Sequence, residues 1–296
     1  MWRLQFTTLV TFKMVNHRSG CRFRCLSGIG TLDIEGSAGS AYAAGHTLDP
    51  TEVAKFRVLS RQWWNERGKF AALHRLNDLR VPFVRDGLLL GKPAPHSAFP
   101  LQCQKILDVG CGGGLLSEAL ARLGASVTGV DPVRESIGVA KTHAAQDPAL
   151  KDKLKYLCGA VEDLLPEQSE TFDGVVASEV LEHVVQKQAF LDCCGSLVKP
   201  GGSIFVTTLN RSSAAFTLAI VAAERLLRIV PTGTHDWNLF ITPKELCDFL
   251  EKGGLEVQEL RGMLYNPASC IWSWIASTDV NYALQAIKHN LKSTGV

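Results

Sequence analysis

A short apolar run, Lys105-Ile-Leu-Asp-Val109, leads directly into Gly110-Cys-Gly112-Gly113-Gly114. The stretch that follows, Leu115 to Leu123, has helical spacing of apolar residues and stops at Gly124. A strand that turns through glycines into a helix is the opening unit of an α/β fold, because the connection between parallel strands must be a crossover. The pattern then repeats. Ser126-Val-Thr-Gly-Val130 reads as a second strand ending at Asp131, and Pro132 reads as the first residue of a helix, where a fixed φ and a missing N–H are tolerated. Leu154–Cys158, Phe172–Ala177 and Ser203–Thr207 read as strands three to five, with helical stretches between them. Short, continuously apolar strands alternating with helices imply a parallel sheet covered on both faces. Thr242-Pro243-x-Glu245 reads as a capping box opening a helix to Leu250, ended by Gly253-Gly254. Leu255–Leu264 and Val280–Ile287 then read as an antiparallel pair at the sheet edge. The expected fold class is therefore α/β, with a mostly parallel seven-stranded sheet, helices on both faces and an antiparallel edge hairpin.

The residues around the glycines narrow the chemistry. Glycine lets the backbone turn sharply and lets a ligand approach it without Cβ atoms in the way. Gly110 and Gly112 are thus candidate cofactor contacts, although a G-x-G pattern alone is shared with dinucleotide-binding folds. Asp108 places a carboxylate at the loop, where an amine or a bound water can be held. Asp131 lies 21 residues past Gly110, at the end of the second strand. A carboxylate there can accept both hydroxyls of a ribose, or cap the helix that follows, or do both. Glu162, after the third strand, is a candidate acceptor for an adenine amine or else an exposed loop acid. Leu197-Val-Lys-Pro-Gly-Gly202 reads as a turn before the fifth strand.

Ser178-Glu179-Val-Leu-Glu182-His183 follows the fourth strand, at the carboxyl edge where open α/β sheets bind ligands. If this stretch is helical, Glu179, Glu182 and His183 share one face and could hold a divalent ion, Mg²⁺ being favoured by oxygen donors. The other reading is a His183 general base with glutamate neighbours, or simply a helix start.

Asp108-Val-Gly-Cys-Gly-Gly-Gly114, Gly129-Val-Asp131, Phe172-Asp-Gly-Val-Val-Ala-Ser-Glu-Val-Leu-Glu-His183 and Leu197-Val-Lys-Pro-Gly-Gly202 together resemble the class I S-adenosylmethionine-dependent methyltransferases, a Rossmann-like fold. Asn77-Asp-Leu-Arg-Val-Pro-Phe83, Gly233-Thr-His-Asp-Trp237 with Phe240, and Asp279-Val-Asn-Tyr282 narrow the resemblance to the ubiquinone biosynthesis O-methyltransferases, from about Thr51 to Lys288. That resemblance implies a cofactor site with Arg80, Gly110, Asp131 and Ser178, Arg80 pairing with the methionine carboxylate. It also implies magnesium at Glu179, Glu182 and His183, and catalytic roles for Glu182 and His183. The implied substrate is a polyprenylated catechol, with His235 and Trp237 as candidates for its wall. The implied setting is the matrix face of the mitochondrial inner membrane, beside other ubiquinone-biosynthesis proteins. A nicotinamide-dependent oxidoreductase is the competing enzyme class, and no Tyr-x-x-x-Lys or comparable hydride-transfer set supports it. A non-catalytic lipid-binding scaffold is a third reading.

Charge adds to this picture. Residues 1–32 contain Arg3, Lys13, Arg18, Arg22 and Arg24 and no acid, which leaves 26 basic against 29 acidic residues in the remainder. An acid-free, arginine-bearing start matches a mitochondrial transit peptide. Residues 1–45 are expected to be that peptide and a Gly/Ser/Ala linker, 46–100 a helical extension and loop, and 101–290 the methyltransferase domain. Within the extension, Val53, Phe56, Leu59, Trp63 and Trp64 fall near helical spacing and read as core or as a cap over a pocket. A net charge of +2 is too balanced for a nucleic-acid surface. Nine cysteines without paired C-x-x-C spacing suggest a reducing compartment and mostly buried thiols. Arg211 to Val230 is apolar but carries Arg211, Arg225 and Arg228, so it reads as a core helix or an interfacial one rather than a membrane span.

Overall fold

The computed structural model describes residues 47, 50–91, 97–165, 167–215 and 239–289. Their centre is an eight-stranded sheet in the order β3-β2-β1-β4-β5-β8-β6-β7. The strands are β1 (Lys105–Val109), β2 (Ser126–Asp131), β3 (Leu154–Cys158), β4 (Phe172–Ser178), β5 (Val198–Leu209), β6 (Leu255–Asn266), β7 (Ile271–Ile275) and β8 (Asn281–Lys288). The first five are mutually parallel, while β8 runs antiparallel to both β5 and β6, and β7 antiparallel to β6. The strand count corrects the expected seven. β7 adds an outermost strand, so the β6–β8 pair lies one strand inside the edge rather than at it. The Lys199-Pro-Gly-Gly202 stretch is not a turn before β5 either. It lies within β5, where the pairing with β4 shifts register between Phe172 and Gly174.

Period-two alternation in the strands decides which helix each side chain meets. Ile106, Val176 and Phe205 point to one face and pack with Leu76, Phe83, Val84 and Leu88 of α2 (Ala71–Leu88) and Leu116 and Leu120 of α3 (Leu115–Arg122). Leu107, Val109, Val175, Ala177, Ile204 and Val206 point to the other. They meet Phe190 and Leu191 of α5 (Lys187–Leu197) and Leu246 and Leu250 of α7 (Pro243–Lys252). Each such fully buried aliphatic side chain contributes roughly 1.5–3 kcal/mol. α4 (Arg134–Ala144) begins two residues later than Pro132 suggests, because Val133 is still extended with ψ 102°. A three-residue helix, α6 (Ser213–Ala215), ends the part described after β5. No helix among the described residues is long and apolar enough to cross a membrane. Of the seven described cysteines three are buried, one is intermediate and three are exposed, so the expectation of mostly buried thiols holds only in part.

The helical spacing from Val53 to Trp64 outruns the helix itself: α1 spans Pro50–Leu59, and a 3-10 turn, Ser60–Gln62, follows. The parallel registers align Val109 with Val130 on one side and with Ala177 on the other. The carboxyl ends of β1, β2 and β4 therefore stand side by side, and the three sequence motifs emerge together there.

Candidate active site

The glycine loop curls over the end of β2. The amides of Gly110 and Cys111 both donate to the Val130 carbonyl, at 2.8 and 3.1 Å. This needs positive φ at Gly110 (68°) and Gly112 (52°). A Cβ on Gly110 would stand 2.5 Å from Val180, and one on Gly112 would stand 2.4 Å from the Trp63 ring. The second contact reveals a cap. Trp63 stacks on Phe70 at 3.8 Å and donates to Ser136 Oγ at 3.0 Å, and Trp64 donates to the Gly113 carbonyl at 2.9 Å. Of the two readings, core or cap, Trp63 fits both, being buried with Phe70 and Leu115 and lining the cavity described below, whereas Trp64 packs beside it without lining that cavity.

Asp131 is buried, its Oδ2 accepting from the Gly112 amide (2.9 Å) and its Oδ1 from the Val133 amide (2.8 Å). Burial pushes its carboxyl up to about 6; the two amides lower it in part, and Asp108 nearby adds to the rise. Asp108, also buried, accepts from Ser117 Oγ and is likewise pushed by burial to about 6, with Ser117 and Arg80 pulling the other way.

Arg80, on α2, is a buried cation. Its Nε donates to Asn77 Oδ1 (2.7 Å) and its Nη1 to Ser178 Oγ (2.9 Å). Ser178 Oγ lies 2.7 Å from Thr207 Oγ1, and Thr207 donates to Glu179 Oε1 at 2.8 Å. Each hydroxyl has one proton, so the direction of the chain follows: Arg80 donates to Ser178, Ser178 to Thr207, and Thr207 to Glu179. Burial lowers the Arg80 pKa, and the charges of Asp108 and Glu179 oppose that without a hydrogen bond. A guanidinium held this way retains the capacity to bind an incoming carboxylate.

Glu162 is engaged on one side only. Its Oε1 accepts from the Thr47 amide (3.1 Å) and hydroxyl (2.6 Å), while Oε2 is buried with no hydrogen-bond partner among the described residues. A buried carboxylate oxygen without a partner is costly, and a donor from a ligand would relieve it.

After β4 the structure departs from expectation. Glu179, Glu182 and His183 do not share a helix face. The Glu179 amide still pairs with β5, donating to the Thr207 carbonyl at 2.8 Å. Its φ is 57°, and only a 3-10 turn, Leu181–His183, follows. Glu182 is buried and accepts from Thr208 Oγ1 at 2.8 Å; burial, then the charge of Glu179, push it up to about 8. His183 Nδ1 lies 2.7 Å from Glu52 Oε2, and the Phe56 ring meets the imidazole edge-on at 5.0 Å. Among the described residues no group of three or more His, Cys, Asp and Glu side chains is placed to hold a metal ion, so the expected ligand set is not assembled.

One cavity of about 380 Å³ gathers these groups. Arg80, Asp108, Gly110, Asp131, Glu162, Ser178, Glu179, Glu182 and His183 all line it, whereas Gly112 acts behind the wall by holding Asp131. His235, Trp237 and the segment from Phe216 to Val230 lie outside the described residues. Arg211 is described and pairs with Glu245. Sequence reading missed Thr47 and Glu52, whose partners are 115 and 131 residues away, and also Tyr265 and Trp272, which line the cavity from β6 and β7. Of these only Trp272 carried a local signal, the alternation in Ile271-Trp-Ser-Trp-Ile275.

Residues 107–206 match the family described as Methyltransferase domain. The mitochondrial ubiquinone biosynthesis O-methyltransferase of Rattus norvegicus is 47% identical over 266 residues, covering 90% of this chain and 76% of the rat protein. The ubiquinone biosynthesis O-methyltransferase of Rhodopseudomonas palustris is 46% identical over 250 residues, 83% of this chain and 96% of that protein. A solved SAM-dependent methyltransferase from Thermotoga maritima shares the fold with a TM-score of 0.51 at 17% identity, over 79% of this chain and 99% of its own. Identity of 46% across nearly the whole bacterial protein goes well beyond a shared fold: this chain belongs to the ubiquinone biosynthesis O-methyltransferase family and is an S-adenosylmethionine-dependent methyltransferase.

Proposed function

We propose that the chain moves the sulfonium methyl of S-adenosylmethionine onto a phenolic oxygen of a polyprenylated catechol in ubiquinone biosynthesis, inside the mitochondrion. The observation that carries this reading is the shared cavity, in which a buried arginine, an unsatisfied Glu162 oxygen and a buried Asp131 accompany an imidazole. In this reading Arg80 pairs with the methionine carboxylate, Asp108 and Ser178 support that end, Asp131 accepts the ribose hydroxyls, and Glu162 Oε2 takes the adenine amine. Gly110 leaves room for the adenosyl group. The Trp63 cap excludes water from the cofactor.

The chemistry is a direct displacement. The phenol loses its proton to His183, the resulting oxygen attacks the methyl carbon, the carbon–sulfur bond breaks, and S-adenosylhomocysteine leaves. The fold supplies alignment of oxygen and methyl, which converts a two-molecule encounter into a step within one complex. Magnesium belongs to the proposal as the alternative to that proton transfer, since the imidazole has one lone pair to give: Glu179, Glu182 and His183 would then hold the ion, and carboxylate oxygens suit a hard cation. When bound, it would lower the phenol pKa. Glu182 buried beside the Glu179 charge supports a positive partner there, although the three side chains are not assembled as a cluster.

We infer also that residues 1–45 are a transit peptide with linker, 46–100 the helical extension and 101–290 the methyltransferase domain. Peripheral contact with the matrix face of the inner membrane, and association with other proteins of the pathway, follow from a membrane-resident substrate. Labelled methyl transfer from S-adenosylmethionine to a polyprenyl catechol tests the reading. The expected result is turnover that falls with chelator and returns with Mg²⁺. Turnover indifferent to chelator removes the metal, and no turnover removes the substrate assignment.

A further inference from the structure

We infer that Glu52 is a positioning residue for His183: the carboxylate on α1 fixes the imidazole, and through it the Nε2 atom, over the cavity. The inference rests on the reading of His183 as the group at the reacting oxygen.

The geometry is specific. Glu52 Oε2 is 2.7 Å from His183 Nδ1, across 131 residues of sequence. Both side chains are shielded, Glu52 at 9% and His183 at 15% exposure, and both line the cavity. An ionised carboxylate has no proton to give, so Nδ1 is the donor. A neutral imidazole that donates from Nδ1 has its lone pair at Nε2, and the same tie sets where that atom points. One further contact holds the same ring: Phe56, one helical turn after Glu52 on α1, meets it edge-on with planes at 86°. The backbone beneath it is fixed by the His183 amide, which donates to the Val180 carbonyl at 2.9 Å. A tie that served only to hold α1 would have no need of a buried carboxylate, since burying one is costly. α1 already packs through Val53, which is buried. Glu52 has a second partner, the Lys55 ammonium. Lys55 is 45% exposed, so solvent screens its charge.

A positioning role makes a prediction that anchoring does not. Acting through the imidazole, Glu52 has nothing to act on once His183 is gone. The test uses the mature protein with S-adenosylmethionine and a polyprenyl catechol, and S-adenosylhomocysteine titration as the check on folding. Glu52→Ala should lower kcat by roughly ten- to a hundredfold, with KM for S-adenosylmethionine and affinity for S-adenosylhomocysteine within about twofold. Glu52→Gln, whose amide oxygen still accepts from Nδ1, should recover part of the loss and serves as the probe if the alanine variant does not fold. Lys55→Ala should match the parent. The double variant Glu52→Ala/His183→Ala should be no slower than His183→Ala alone. Losses that multiply in the double variant, or a Glu52→Ala enzyme with unchanged kcat, overturn the inference. A fully active His183→Ala enzyme overturns the reading of His183 itself, and the inference with it.

Discussion

At the scale of single residues, the cavity stores strain as charge. Asp131 and Asp108 are both buried and both pushed to about 6. The sign of the consequence follows. A carboxyl whose pKa is higher folded than unfolded binds more protons in the folded state between those values. Its favourable contribution is complete below about pH 4 and is lost as pH rises through 6. The ribose, however, needs the ionised acid to accept its hydroxyls. Cofactor affinity should therefore weaken as pH falls below 6, approaching tenfold per pH unit, while the ligand-free protein gains stability from these groups. Titrations of S-adenosylhomocysteine between pH 5 and 8 check the first, and thermal melts over the same range check the second. Asp108, Gly110 and Asp131 were legible in sequence because each is placed by its own strand end. Glu52 and Thr47 were not, because their meaning depends on partners more than a hundred residues away. Glu162 was legible as an acid after β3, but its occupied and unoccupied oxygens were not.

At the scale of elements, local chemistry was readable where one segment satisfies itself. Thr242 and Glu245 exchange hydrogen bonds at the start of α7, the amide of Glu245 reaching Thr242 Oγ1 at 3.2 Å and the amide of Thr242 reaching Glu245 Oε2 at 2.9 Å. Thr242→Ala should cost about 1 kcal/mol and lower Tm by roughly 2–4 °C without altering turnover, which a melt paired with an activity assay shows. The segment after β4 was misread because nothing in Glu179-Val-Leu-Glu182 announces a left-handed glutamate; continued pairing with β5 imposes it. β7 escaped notice because it is five residues long and sits at the edge, where only its neighbour β6 completes it. The Trp63 cap is an element-scale device as well. Trp63→Ala removes the ring that covers Gly112 and the bond to Ser136. It should weaken S-adenosylhomocysteine binding by about tenfold, consistent with a few interactions of about 1 kcal/mol each, while the circular dichroism of the fold is kept.

At the scale of the whole molecule, the alternation of strands and helices was enough to predict a parallel sheet, because right-handed crossovers leave few arrangements. That sheet brings the ends of β1, β2 and β4 together, and with them three motifs that lie far apart in sequence. The spacing of Trp63 allowed a cap over a pocket, but no pattern in the chain conveys that the N-terminal extension also contributes Thr47 and Glu52 to a site otherwise built from the sheet. In the proposed reading this cavity holds the adenosyl group by Asp131. Calorimetric titration of the mature protein with S-adenosylhomocysteine at pH 7.5, beside the same titration of Asp131→Asn, tests it most directly. The account predicts saturable one-to-one binding in the parent and at least tenfold weaker binding in the variant, the loss expected for a charged hydrogen-bonding group of about 1.5–3 kcal/mol. No heat from the folded parent, or equal affinity in the two proteins, would contradict it.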